Sequence, residues 1–171
     1  MNILEEFDTI AAIATPLGMG GVGVIRISGE KAFEIIEKIF TNSKFEPRKF
    51  NHGWIIDNNV KIDECIVLPF FAPNSYTGEN VIEIQCHGGV NVVKNILNLV
   101  LQNGARMAEK GEFTKRAFLN KRMDLSQAES VADIIHSKTS NFAKASVKNL
   151  SGALKERINE IRNDIFEGMR W

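Results

Sequence analysis

GARMAEKGEFTKRAFLNKRMDLSQAE, residues 104–129, is the stretch on which the reading of this chain turns. It gathers Lys110, Lys115, Arg116, Lys121 and Arg122 within thirteen positions, with Phe113 and Phe118 set among them. Positive charge interleaved with flat apolar rings suits a ligand that carries both an aromatic face and negative charge. The same run also reads as a solvated helix face with two core phenylalanines. Before it, strand-like and helix-like segments alternate; after it, only helical spacing remains. The boundary therefore falls near residue 120. A mixed α/β domain spans 1–120, and the opening helices of a bundle span 121–171.

Upstream, residues 7–14 and 22–28 are β-branched and apolar and read as strands around a glycine-rich loop at 16–23. Ser28 is placed to cap a helix over about 30–40, where Phe33, Ile36, Ile39 and Phe40 form a stripe. Residues 54–57 and 60–62 flank Asn58-Asn59, a tight hairpin turn because asparagine tolerates positive φ. Residues 64–71 make an interior strand with Pro69 near its end. Residues 73–78 are a turn-rich loop, 80–86 a strand, 90–102 a helix and 105–108 a short strand. Downstream, Ser126-x-x-Glu129 reads as a capping box for a helix reaching about Lys138. From Ser140 the chain is helical, with Leu150, Leu154, Ile158, Ile161 and Ile165 as one stripe.

Composition narrows the functional classes. Twenty-one basic and twenty-one acidic side chains cancel, so contact with RNA has to come from a local patch. Cys65 and Cys86 lie in apolar, strand-like contexts and read as reduced thiols. The opening MNILEEF is unlike a signal or transit peptide, and no apolar run approaches the ~20 residues that span a bilayer. A cytoplasmic protein without membrane partners is expected. No GxxxxGK[ST] phosphate loop occurs, since the glycines at 18, 20, 21 and 23 lead into Val24-Ile25-Arg26.

Two charged residues stand out on strands. Arg26 shares a face with Val24 and Ser28, and Glu83 shares one with Val81 and Gln85, while Ile25, Ile27, Ile82 and Ile84 face the other way. A charge there needs a partner. An Arg26–Glu83 ion pair and an anionic or donor-rich ligand are both open. The glycine loop fits either a phosphate cradle or close packing. Cys86 and His87 point to opposite faces and form no nucleophile pair, so His87 is a turn or rim residue. His52 and His136 stand alone, and no metal spacing or catalytic set emerges.

Three segments, in order, resemble the bacterial tRNA-modification GTPase family MnmE, also called TrmE. They are DTIAAIATPLGMGGVGVIRISG at 8–29, PNSYTGENVIEIQCHGG at 73–89 and GEFTKRAFLNKRMDLSQAE at 111–129. The resemblance implies an α+β fold: a mixed, mostly antiparallel sheet with flanking helices, related to aminomethyltransferases and followed by bundle helices. It implies binding of a reduced folate, formyl-tetrahydrofolate, with Arg26, Glu83 and Arg122 matching the family's ligand-contacting positions. It further implies a homodimer. In the full-length family protein it implies GTP with potassium and magnesium, the flavoprotein partner MnmG (GidA), and tRNA modified at the wobble uridine. A carboxylate such as Glu83 accepts the paired donors of a pterin, and arginine forks suit carbonyl or tail oxygens. Two departures touch loops: Glu109-Lys110 stand before Gly111 where the family tends to have proline, and Asn80 replaces the usual acidic residue.

With the phosphate loop missing, GTP hydrolysis is not expected of these residues, and both a fragment and a natural short form fit the sequence. Two other functions remain as alternatives: an independent folate-dependent aminomethyl or one-carbon transferase, and a non-catalytic dimerisation or tRNA-docking module.

Overall fold

A computed structural model of the chain describes residues 8–47, 49–137 and 139–168, and the side chains of all of these but 154, 155 and 164–168. The acidic opening MNILEEF and Lys138 lie outside the described residues. The chain forms two compact units, one ending at Phe113 and the other beginning at Thr114.

The first unit is a six-stranded sheet: β1 (Ile10–Ile13), β2 (Val22–Ser28), β3 (Asn51–Asp57), β4 (Val60–Phe70), β5 (Val81–His87) and β6 (Arg106–Met107). Its spatial order is β3-β4-β5-β2-β1-β6. Every neighbouring pair is antiparallel except β1 and β6. The α+β fold with a mixed, mostly antiparallel sheet is thus the one expected. Helices α1 (Ala32–Ile39) and α2 (Val90–Gln102) bury Ile35, Ile36, Ile39, Val93, Ile96, Leu97 and Val100 in one cluster with Ile25, Ile27, Ile82, Ile84 and Val67. Strand alternation turns the other half of each strand, Arg26 and Glu83 included, away from this core.

Local chemistry sets the corners. Asn58 and Asn59 take φ of 47° and 66°, the paired positive angles of a two-residue hairpin turn. Residues 60–62 and 64–71, read as separate strands, join as β4, whose register against β3 shifts between Ile55 and Ile56 with Ile62 of β4 as the extra residue. Ser28 does not cap α1. It is the last residue of β2, with its hydroxyl 2.7 Å from Thr77 Oγ1 and 2.6 Å from Glu79 Oε2. The hydroxyl of Thr9 instead accepts the Lys31 N–H at 2.9 Å.

In the second unit, α3 (Glu112–Leu119), which begins as the first unit ends, leads to α4 (Leu125–His136), α5 (Ser140–Leu150) and α6 (Ala153–Gly168). The capping box of α4 sits two residues earlier than expected. Asp124 accepts the Gln127 N–H at 2.9 Å and Gln127 Oε1 accepts the Asp124 N–H at 2.9 Å, while Ser126 donates to Asp124 Oδ1. The stripe from Leu150 is divided between two helices, because Gly152 at φ 96° ends the turn after α5. Ile158 and Ile161 of α6 are exposed, and the Leu154 and Ile165 side chains lie outside those described. Phe118, a core residue under one reading of the run, is 40% exposed, whereas Arg116 is 4% exposed. Among the described residues no helix is long and apolar enough to cross a membrane.

Gly29 follows β2 at φ 132°, and a Cβ there would lie 2.7 Å from Thr9 Cα. Gly29→Ala should therefore cost about 1–3 kcal/mol of stability. In Gly21→Ala the new methyl meets nothing within 4 Å. Urea unfolding should show a clear drop in midpoint for the first variant and almost none for the second.

Candidate functional site

The antiparallel register of β2 and β5 sets Arg26 directly opposite Glu83, with Ala12 of β1 and Leu68 of β4 on the outer sides of the pair. The ion pair left open by the sequence is formed. Arg26 Nε lies 2.8 Å and Nη2 2.7 Å from the same oxygen, Glu83 Oε1. Both side chains are partly buried, at 27% and 19% exposed. Arg26 Nη1 and Glu83 Oε2 carry no hydrogen bond among the described residues.

Two rings flank the guanidinium. Its Cζ is 5.2 Å from the centroid of Tyr76 and 5.6 Å from that of Phe113, within the range of cation–π attraction. Tyr76 comes from the loop before β5, whose base is fixed by Ser75 Oγ donating to Glu79 O at 2.6 Å and by Asn80 Oδ1 accepting the Ala72 N–H at 3.0 Å. Asn80, a departure from the family pattern, thus holds the loop with a neutral acceptor. Neither ring was singled out as a neighbour of Arg26 by sequence reasoning. The signal available was their position inside the second and third motif matches.

Of the three residues matched to ligand contacts, the first unit holds Arg26 and Glu83. Arg122 belongs to the second unit, in the turn between α3 and α4, where its N–H donates to Ala117 O at 2.8 Å. There it lines a cavity of ≈ 460 Å³ with Phe118, Leu119, Lys121, Met123 and Gln127. Lys121 beside it adopts φ 59°.

The glycine loop encloses a cavity of ≈ 170 Å³ against the start of α2. Gly88 packs so closely on Gly20 that a Cβ would collide with the Gly20 carbonyl oxygen. Close packing thus accounts for at least this glycine of the CHGG segment.

The histidines are more engaged than the sequence suggests. His52 Nε2 is 3.4 Å from Glu64 Oε1. His87 Nδ1 is 2.7 Å from Asp63 Oδ1, and its backbone N–H donates to Asp63 Oδ2 at 2.8 Å. Asp63 was missed; its signal was a lone carboxylate interrupting the apolar alternation of β4. Cys65 and Cys86 are free, buried thiols, as the sequence indicated. Among the described residues no three His, Cys, Asp or Glu side chains converge in the manner of metal ligands.

Comparison with known proteins agrees with this frame. The family model described as the N-terminus of GTP-binding protein TrmE matches residues 9–122. The tRNA modification GTPase MnmE of Thermotoga maritima is 48% identical over 161 residues, covering 94% of this chain and 36% of that protein. The MnmE of Streptococcus mutans is 52% identical over 167 residues, 96% of this chain and 37% of its own length. That of Acetivibrio thermocellus is 51% identical over 166 residues, 94% and 36%. This chain belongs to the TrmE N-terminal family and spans little more than a third of the length of these relatives.

Burial, with Asp63 adding to it, pushes the Cys86 thiol up to about 11 and raises Cys65 as well. In the unfolded chain both ionise near ~8.5. The folded values lie above the unfolded ones, so this contribution to stability is complete below the unfolded value and is lost as pH rises toward about 11. Urea unfolding should show stability falling from neutral to strongly alkaline pH, at most ~1.4 kcal/mol per pH unit for each thiol. Cys86→Ala should flatten that slope; an unchanged slope would contradict the assignment.

Proposed function

We propose that this chain is the folate-binding and dimerising module of a tRNA wobble-uridine modification GTPase, with formyl-tetrahydrofolate as the one-carbon source. The observation that carries this reading is the half-satisfied Arg26–Glu83 pair. Among the described residues Glu83 Oε2 and Arg26 Nη1 carry no hydrogen bond, leaving one acceptor and one donor, and two rings lie against the guanidinium. The edge of a reduced pterin offers the complement, N–H donors beside a carbonyl oxygen. These residues fit the group. Glu83 would accept from the ring and Arg26 would donate to its carbonyl. Arg122 is the third candidate contact, carried by the family resemblance, and an arginine fork suits carbonyl or tail oxygens. When bound, the folate supplies an activated one-carbon unit.

The wider setting follows from the family. Relatives carrying the name tRNA modification GTPase MnmE are almost three times as long as the aligned region, so GTP, potassium and magnesium belong to the full-length protein in this proposal. MnmG and tRNA join it there, in the cytoplasm.

Calorimetry with 5-formyl-tetrahydrofolate tests the site. Glu83→Gln leaves the ring donors without their anionic acceptor and should cost ~1.5–3 kcal/mol, about tenfold to a hundredfold in affinity. Arg26→Ala should weaken binding comparably. Arg122→Ala should weaken it more than Lys121→Ala. Binding by a folded Glu83→Gln variant at parental affinity would make the carboxylate a purely structural group.

Self-association has its own test. Sedimentation equilibrium should show a dimer at tens of micromolar, and a monomer throughout that range would remove dimerisation from the proposal.

A further inference from the structure

β5 carries Glu83, Gln85 and His87 on one face, because alternate residues of a strand share a side. Beginning at Gln85, a cavity of ≈ 290 Å³ runs along this face, lined by His87, His52, Glu64, Ile66 and Val22. Its far end holds the most constrained histidine among the described residues. The Asp63 carboxylate takes the His87 backbone N–H on one oxygen and ring Nδ1 on the other, at 2.8 Å and 2.7 Å. A carboxylate only accepts, so Nδ1 carries the proton in this contact, and in the neutral ring the lone pair is then on Nε2. The Asp63 side chain is 11% exposed, whereas the His87 side chain is 71% exposed. The carboxylate is thus held inside and the basic nitrogen belongs to a ring open to solvent.

A bare surface histidine needs no such arrangement. Burying a carboxylate is costly, and Asp63 directs both oxygens to a single residue, with the Cys65 thiol, at 3.7 Å, as its one further hydrogen-bond contact among the described residues. The result is the pairing that fixes an imidazole's tautomer and stabilises the imidazolium once it forms.

We propose that Asp63 and His87 are a proton-accepting dyad for the ligand held by Arg26 and Glu83. His87 Nε2 takes a proton from a protonated amine nitrogen of that ligand, leaving the neutral amine. The nitrogen lone pair forms the new N–H bond, the amine keeps the electrons of the broken one, and Asp63 balances the imidazolium charge. His87 is the acceptor and Asp63 a positioning residue. The strand rise places the His87 Cα about 13 Å from that of Glu83. A two-ring ligand anchored at Glu83 and lying along β5 passes Gln85 and brings its far edge toward His87.

This inference rests on the folate reading, and the experiment separates the two. Long-range proton–nitrogen spectra of the labelled chain report the tautomer of each histidine, before and after addition of 5-formyl-tetrahydrofolate. His87 should hold its proton on Nδ1. Its Nε2 resonance should move on saturation while His136 stays still, and the ligand should protect His87 from acylation by diethyl pyrocarbonate. Asp63→Asn should release the tautomer and slow that acylation severalfold, with folate affinity within twofold of the parent. Binding by calorimetry with an unmoved, unprotected His87 overturns the dyad and leaves the folate site standing. No binding at all overturns both. Should Asp63→Asn fail to fold, the protection and the Nε2 shift in the parent chain decide the matter alone.

Discussion

The register between β2 and β5 is the constraint on which the rest of the first unit depends. Seven consecutive pairs, from Val22↔His87 to Ser28↔Val81, run along it without a break. A slip by one residue would turn Arg26 and Glu83 into the helix-covered core and bring Ile25, Ile27, Ile82 and Ile84 out. Each burial error would cost more than the ladder hydrogen bonds it left intact. The glycines reinforce this register at its open end. Gly23 packs under Val93 of α2, and Gly88 packs on the backbone of Gly20, so neither place admits a side chain without displacement. One alternation thereby builds both the core and the functional face.

Much of this was legible in the sequence because period and turn chemistry agreed locally. The α2 helix begins and ends where its 3–4 spacing does, and Asn58-Asn59 makes the hairpin that its tolerance of positive φ implies. Two misreadings share a cause: a polar residue beside a helix start has more than one possible partner. Ser28 looks like a cap, yet Thr77 and Glu79, some fifty residues away, take its hydroxyl, which no local pattern announces. Ser126 and Glu129 have the spacing of a capping box. Asp124 and Gln127 have it too, and the ionised acceptor at Asp124 makes the stronger cap. The leucine and isoleucine stripe ignored Gly152, whose positive φ separates its members into two helices.

The site was legible in part, and the division is physical. Arg26 and Glu83 each break an apolar alternation, which marks them one at a time from spacing alone. Their partnership depends on which strands become neighbours, and the order β5-β2 is not fixed by chain order. Tyr76 and Phe113 reach Arg26 from a loop and from the start of α3, elements whose placement is tertiary. Asp63 and His87 lie twenty-four residues apart and meet where β4 and β5 run side by side beyond their last paired residues. Long-range pairs of this kind are recorded in a sequence only as isolated anomalies.

The energetics of the Arg26–Glu83 pair bear on whether such an anomaly serves as a brace or, as proposed, as a site. The two side chains retain about a fifth to a quarter of their exposure, so solvent screens their attraction while burial still taxes both charges. An apolar pair at the same cross-strand position would stabilise the sheet at least as well. A brace built from arginine and carboxylate would also be expected to close both forks, using two oxygens and two nitrogens. Here Nε and Nη2 crowd one oxygen, and the remaining oxygen and nitrogen stay available. The pair neutralises itself in a half-buried place while leaving one carboxylate oxygen and one guanidinium nitrogen without a hydrogen bond among the described residues. This is the arrangement on which the proposed recognition edge rests: a pair bounded by two rings, on the strand face that carries Glu83, Gln85 and His87.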